Sequence, residues 1–380
     1  MTSFRLGAVD LPPAAEALRG EVRAFLAEQA ASGTYVPHSV EAAQGFSPEF
    51  SRAMGARGWI GMTWPKRYGG HERSALERLV VTEEMLAAGA PTRAHWVADR
   101  QSGPTILRFG TEEQRATYLP RIARGECYFC IGMSEPDSGS DLASIRTRAT
   151  KVEGGWEVEG TKIWTSNAHC ADMMILFVRT APRGEDRHAG VSQFLVDLKT
   201  PGITIRPIHN MAGEHDFNQI FFDKVFVPDE RVIGAIGNGW NQVTSELAFE
   251  RSGPERWLST YHLLKELIDA LGPAPGDKGA EAVGRLVAHL WTLQNMSTSI
   301  ASLLQAGETP NAEAALVKDL GTQFEQEIPE VARRLVAPQD RSASFAEALA
   351  HATLWAPAFT IRGGTREILR GIIARGLGLR

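Results

Sequence analysis

Three stretches of different hydrophobic periodicity follow one another along the chain without interleaving, and that order constrains the fold more than any other feature. From about Pro12 to Arg124 apolar residues recur at spacings of three and four, with Leu18, Val22, Phe25 and Leu26 on one stripe. "TEEQRATYLPRI" opens with Thr111 and carries Gln114 three residues on, which predicts a capping box. Between about Gly125 and Gly234 the period falls to two and β-branched and aromatic residues rise. There "TRATKVEGGWEVEGTKIWTS" predicts a hairpin turning at Gly154 and Gly155, followed by "MMILFVRT", "VSQFLVDL", "ITIRPI" and "QIFFDKVFVP". Helical stripes return from Trp240 and run to Arg380, interrupted by the loop "GPAPGDKG" at 272–279. The expected fold is α+β and multidomain: a helical domain over 1–124, a β domain of about six strands over 125–235, and a helical domain over 236–380. Blocks in this order exclude a doubly wound α/β fold, and without a GxGxxG or Walker loop no nucleotide-like cofactor is held in the Rossmann manner.

A chain of 380 residues exceeds what one small core needs, and 43% hydrophobic against 22% charged residues excludes a disordered or all-polar chain. Its 40 basic and 45 acidic residues leave a net charge of −5, which offers no attraction to polyanions; nucleic acid is not an expected partner. The strongest apolar run, "MMILFV", is too short to cross a bilayer, so a soluble, cytoplasmic protein without membrane contact is expected. Three cysteines argue against a disulfide framework. Cys127 and Cys130 form a CxxC within the strand-like "ECYFCIGM", where positions three apart point to opposite faces. Without a second cysteine pair or an HExxH, buried thiols and no metal site are expected.

One residue breaks the pattern. In "ELAFERSGPER" the spacings from Glu250 reach Val243, Leu247, Pro254, Trp257 and Tyr261, which puts an ionisable acid on the stripe a helix would bury. Pro254, inside that helix, would supply no N–H to the carbonyl of residue 250 and would kink the backbone beside it. A carboxylate kept dry there gains basicity; equally, it could pair with a cation at a domain junction, though adjacent Arg251 does not face it on a helix.

Three further stretches bear on chemistry. "GMSEPDSGSDLAS", residues 132–144, gathers Ser134, Pro136, Ser138, Gly139 and Ser140 in a turn whose small residues let backbone amides approach a ligand; a polar turn with a self-satisfied Asp141 accounts for the same residues. "KIWTSNA" at 162–168 ends a strand with Trp164, Thr165 and Ser166, where a tryptophan is ordinarily core. "IRGGTREILRGII" at 361–373 feeds Gly363, Gly364 and Thr365 into a helix whose first N–H groups suit oxyanions or serve a plain loop-to-helix junction.

Together these stretches resemble the acyl-CoA dehydrogenase family. "GMSEPDSGSDLAS" matches its first signature, and the resemblance extends through "WPKRYGG", "RFGTEEQRATYLPRIARGE", "GTKIWTSNAHCADM", "ERVIGAIGNGW" and "GGTREILRGIIARGLGLR". It implies an N-terminal helical domain, a β-barrel-like middle domain and a C-terminal four-helix bundle. It further implies FAD bound near Met133, Ser134, Gly139, Ser140, Trp164, Thr165, Ser166, Thr365 and Glu367. An acyl-CoA substrate would meet Ser140, Arg251, Gly363 and Gly364, and electrons would pass to an electron-transfer flavoprotein. Many members place the catalytic glutamate just before the "GT" of the C-terminal motif, where this chain has Gly363. A branch resembling the isovaleryl and long-chain dehydrogenases carries it on a helix before an arginine; "FERSG" with "RGGT" fits that branch and makes Glu250 the base.

The family's "RxxFG" and "QxxGGxG", which reach a neighbour's FAD in self-sufficient homotetramers, are absent. That implies either a homologous chain supplying the missing groups, as in mixed tetramers resembling actinobacterial sterol side-chain dehydrogenases, or a homo-oligomer with different contacts, in either case a dimer of dimers. Gly363 and "EAALVKDLGTQFEQEIPEVARRL" lean toward bulky, branched or steroid-derived acyl groups, although charges at helical spacing also suit a solvated face. The alternatives are a non-catalytic subunit of a heteromeric enzyme and an oxygen-using relative, either an acyl-CoA oxidase or a flavin monooxygenase.

Overall fold

In a computed structural model, residues 4–37 and 45–379 are described, with 246–250 as backbone only. The chain divides into two compact units. One comprises residues 45–72 and 92–247, the other residues 1–44, 73–91 and 248–380, and the division falls within one helix.

The first unit is built on a sheet. Helices α2 (Pro48–Ala56), α4 (Arg93–Val97), α5 (Gly103–Phe109) and α6 (Glu112–Ala123) precede it. The Thr111 and Gln114 capping box forms at the start of α6, each side chain bonding the other's backbone N–H. Eight strands follow: β1 (Phe129–Gly132), β2 (Arg148–Val152), β3 (Gly155–Lys162), β4 (Met173–Arg179), β5 (Val191–Asp197), β6 (Ile203–His209), β7 (His215–Pro228) and β8 (Val232–Ile233). Their order is β6-β7-β3-β2-β4-β5-β8, with β1 parallel to β4. The barrel-like expectation is met by an open sheet: β8 has two residues, and edge strand β6 carries Pro207, which has no N–H to offer a further strand. The β2–β3 hairpin turns at Glu153 and Gly154, the latter at φ +73°, and Gly155 already opens β3.

Strand β4 explains the apolar run. Met174, Leu176 and Val178 join Phe194, Val196 and Ile220 in one core, while Phe177 faces Ile145, Val191 and Val243 in another. Buried on both faces, the strand needs no alternation. Cys127 and Cys130 are buried free thiols; burial pushes Cys127 up to about 12 and Cys130 still further.

Helices make up the second unit: α1 (Pro13–Ala31), α3 (Ala75–Ala87), the end of α7 (Gly239–Arg251), α8 (Tyr261–Leu271), α9 (Gly276–Gln305), α10 (Asn311–Leu335), α11 (Ala343–Phe359) and α12 (Arg366–Gly376). The stripe of α1 is buried as its spacing requires. Helices α8 to α11 form the expected four-helix bundle around Leu263, Leu267, Leu286, Leu293, Ile300, Phe324, Ile328 and Phe345.

Two expectations need correction. Helix α7 stops at Arg251, so Pro254 kinks nothing; it opens a single 3-10 turn, Pro254–Arg256. The residue before a proline is pushed out of the α region, and Gly253 sits extended at ψ 168°. Trp257 and Tyr261 therefore do not continue the helix that carries Glu250. The charges of α10 are only partly a solvated face: Glu330, Arg333 and Arg334 are exposed, whereas Glu313, Lys318, Asp319 and Glu325 are buried. Each buried one has a partner. Glu325 accepts from the Ser259 N–H at 2.9 Å and from Arg362 at 2.7 Å. Lys318 donates to Thr322 Oγ1 and to the Phe359 carbonyl, which lies at the negative end of α11. Pro329 within α10 leaves the Glu325 carbonyl without its helical N–H, and the Thr260 hydroxyl donates to it instead. Among the described residues no helix is long and apolar enough to cross a membrane.

Candidate active-site loops

In the sheet unit, two chain segments leave adjacent strand ends and are tied together. The Ser134 carbonyl accepts from the Ile163 N–H at 2.9 Å. Lys162 Nζ donates to the Met133 carbonyl and to Glu135 Oε1, both at 2.9 Å. Glu135 also takes the N–H groups of Arg146 and Thr147. Burial works against both charges of this pair. It draws the Lys162 ammonium down to about 8 despite Glu135; for Glu135 the Lys162 charge and the backbone donors outweigh burial and hold it below 4.5. A lysine on the inward side of a strand signalled a buried partner, but nothing in the spacing singled out Glu135, 27 residues away.

The turn at 132–144 is partly the plain one. Asp141 is satisfied by the Ser144 hydroxyl and Arg187, which keep it below its usual range, and Ser138 Oγ donates to the Asp141 carbonyl. Gly139 and Ser140 nevertheless lie exposed, with nothing within 4 Å of the position a Cβ on Gly139 would take.

Trp164 is not core. It is 57% exposed, stands edge-on to Phe217 and sits at φ +59°, a left-handed conformation that a bulky residue adopts only under constraint. Asn167 at φ +57° closes the same segment. Between them Thr165 is 1% exposed and its Oγ1 has no hydrogen-bond partner among the described residues. Ser166 beside it is half-buried. A buried hydroxyl lacking a partner is costly, and strain persists where the surroundings enforce it. An aromatic face, a spare donor and an open small-residue turn suit a planar heteroaromatic ligand with polar ring edges, so these residues fit a flavin.

In the helical unit, Glu250 lies in the last turn of α7, but its side chain falls outside the described residues. Arg251, the next residue, is buried and its Nε donates to the Gly363 carbonyl at 2.9 Å. Gly363 and Gly364 take φ +67° and +100°, and a Cβ on Gly364 would lie 3.2 Å from Arg251 Nη2. Thr365 caps α12 by accepting the Ile368 N–H, so one of the N–H groups at that terminus is already used. Glu367 is solvent-exposed; its own N–H and the Thr365 hydroxyl hold it below its usual range. The structure thus joins Arg251 to the Gly363–Gly364 turn, a contact the sequence reading missed. Arg362, just before that turn, reaches Glu325 and Ser259 Oγ, and Arg366 just after it reaches Asp319. Among the described residues no group of His, Cys, Asp and Glu could hold a metal.

Three models of one family match this chain in order: acyl-CoA dehydrogenase N-terminal domain over residues 12–126, middle domain over 130–225 and C-terminal domain over 274–378. The chain is 36% identical over 379 residues to acyl-CoA dehydrogenase FadE34 of Mycobacterium tuberculosis, covering 99% of this chain and 50% of that protein; it spans half the length of that relative. Among solved structures it is similar to the Tcur3481-Tcur3483 steroid ACAD, with a TM-score of 0.86 and 29% identity over 98% of this chain and 99% of that one. It is also similar to the ChsE4-ChsE5 complex from Mycobacterium tuberculosis, with a TM-score of 0.83 and 29% identity over 98% of this chain and 100% of that one. Matched domain by domain and in sequence order, the chain belongs to the acyl-CoA dehydrogenase family.

Proposed function

We propose that this chain is an FAD-dependent acyl-CoA dehydrogenase that converts an acyl-CoA thioester to the 2,3-enoyl-CoA. One observation carries the reading beyond family membership: the strained, exposed Trp164 beside the unpartnered, buried Thr165 hydroxyl. FAD would be held by Met133, Ser134, Gly139, Ser140, Trp164, Thr165 and Ser166, and the family resemblance adds Thr365 and Glu367 to the cofactor-binding residues. Bound there, it would take up the β-hydrogen as hydride.

Glu250 is the base in this reading. It removes the proton on the carbon beside the thioester, and an apolar, dehydrated surrounding raises the basicity this requires. The negative charge that develops on the thioester oxygen needs a donor, and we assign the Gly363 N–H. Arg251, bonded to the Gly363 carbonyl, keeps that turn in place. A glycine at 363 leaves no side chain where many family members carry their acid, which favours a bulky acyl group; the similarity to a steroid ACAD supports a branched or steroid-derived one. The two-chain ChsE4-ChsE5 complex supports a homologous partner around the adenosine half of FAD, completing a dimer of dimers, with an electron-transfer flavoprotein as acceptor.

The test is the chain purified with and without its genomic neighbours, inspected for flavin absorbance and titrated with acyl-CoA thioesters from short branched chains to steroid derivatives. Bleaching without rapid reoxidation by air supports the reading; fast reoxidation points to oxygen chemistry, and a colourless chain in every combination to a non-catalytic subunit. Glu250→Gln is expected to retain flavin and lose turnover by about 10²- to 10⁴-fold, the span of general-base contributions. Unchanged turnover would move the base elsewhere.

A further inference from the structure

Behind the Trp164–Ser166 segment lies a cluster that neither the cofactor assignment nor the base assignment uses. Asn218 on β7 is 0% exposed. Its Oδ1 is 2.8 Å from His215 Nε2, and its Nδ2 is 3.0 Å from the Thr165 carbonyl and 3.1 Å from His169 Nδ1. The Asn218 carbonyl in turn accepts the Thr165 N–H at 3.1 Å. One buried residue therefore satisfies both backbone polar groups of Thr165.

The chemistry of the amide fixes the protons. Its oxygen only accepts and its nitrogen only donates, so His215 must carry a proton on Nε2 and His169 must be bare at Nδ1. A flipped amide would set Oδ1 against the Thr165 carbonyl. The two imidazoles stack with centroids 3.8 Å apart and planes 20° from parallel. His169 is exposed, so protons reach it. His209 lies 5.6 Å from the His215 ring, and Arg93, paired with Asp216, adds positive charge. Burial first, then His215 and Arg93, lower His169 below 6.5; a hydrogen bond to Asn218 would raise it only with the amide oxygen facing the ring, which the Thr165 carbonyl forbids.

We propose that Asn218 is the positioning residue for the flavin-facing segment Trp164–Ser166, and that protonation of His169 at Nδ1 loosens that segment. The inference rests on the flavin reading of Thr165. A proton on Nδ1 places donor against donor. If the amide turns over, the Thr165 carbonyl loses its donor; if the ring swings out, His215 loses its stacking partner and one amide hydrogen its acceptor. Either change relaxes a segment held at φ +59° at Trp164 and closed by Asn167 at φ +57°. The sign follows from the lowered imidazole: between its folded value and 6.5 the folded chain binds fewer protons than the unfolded one. Its stabilisation is full above 6.5, and the tie itself is lost as pH falls through the folded value at the foot of that window.

The test pairs ¹⁵N NMR of the imidazoles in flavin-free protein with FAD titrations from pH 5 to 8. The expected result is a bare His169 Nδ1 and a protonated His215 Nε2 at neutral pH, with FAD affinity falling on the order of tenfold as His169 titrates. His169→Leu keeps the Asn218–Thr165 bonds and should flatten the pH dependence. Asn218→Asp removes the donor to Thr165 and offers His169 an acceptor, so it should weaken FAD at every pH while raising the His169 pKa. A protonated His169 Nδ1 at neutral pH, or a His169→Leu chain with the parent's pH profile, overturns the proposal. No flavin binding at any pH would sink the flavin reading, and the imidazole spectra would still decide the tie.

Discussion

The two units bury charge differently. The sheet unit sets close pairs behind its loops, Lys162 with Glu135 and Arg93 with Asp216, and fills the remaining valences of Glu135 with backbone N–H groups. The helical unit buries four ionisable residues on α10 alone and binds them to Arg5, Arg362, Arg366, Ser259 and the end of α11. In the sheet, a charge fixes a loop locally. In the bundle, charges tie a helix to a loop on either side of the Gly363–Gly364 turn. Removing a buried partner is far more harmful than the pair is helpful, because the survivor stays dry and uncompensated. The bundle should therefore be the more brittle of the two.

Glu325→Ala tests this most severely. It strands Arg362, itself lowered by burial despite Glu325, and frees the Ser259 N–H, so a loss of about 3–5 kcal/mol in urea unfolding is expected. A loss under about 1 kcal/mol would mean that the network is solvated and the contrast false.

Lys162→Met should be milder, about 2–3 kcal/mol, since Glu135 keeps two backbone donors. It also carries a pH signature. Glu135 is held below 4.5, so its stabilisation is present above that value and fades as pH falls through the folded one. Without Lys162 burial prevails, the carboxyl titrates higher and acid unfolding followed by circular dichroism should begin at a higher pH. An unmoved acid limb would separate Lys162 from Glu135.

Gly364→Ala comes next. At φ +100°, with the new methyl 3.2 Å from Arg251, it should lower stability by about 1–2 kcal/mol and release the turn from Arg251. A wild-type melting curve would show that the turn is not held.

The smallest effect on stability belongs to Trp164→Ala. An exposed side chain at positive φ contributes little to the fold, so a change within about 0.5 kcal/mol is expected, together with an altered flavin absorption band. A large destabilisation would return Trp164 to the core role.

The order of elements, the α6 capping box, the β2–β3 hairpin and the α1 stripe were all readable because each depends on residues within a turn or a strand of one another. The segments around Ser134, Trp164 and Gly363 stood out as local chemistry in unusual company, and the roles read from them are proposals. Burial of polar residues was not readable. Glu325 meets Arg362 across 37 positions and Arg5 meets Glu313 across 308, while the spacing of charges on α10 is the same whether the helix faces water or a neighbour. The exposure of Trp164 was not legible from its strand-end position either, since a hydrophobic residue there says nothing of whether the chain beyond turns it inward. Local periodicity and backbone sterics are written residue by residue. Which polar group loses its water is decided only when distant segments close over it, and that is a property of the packed molecule.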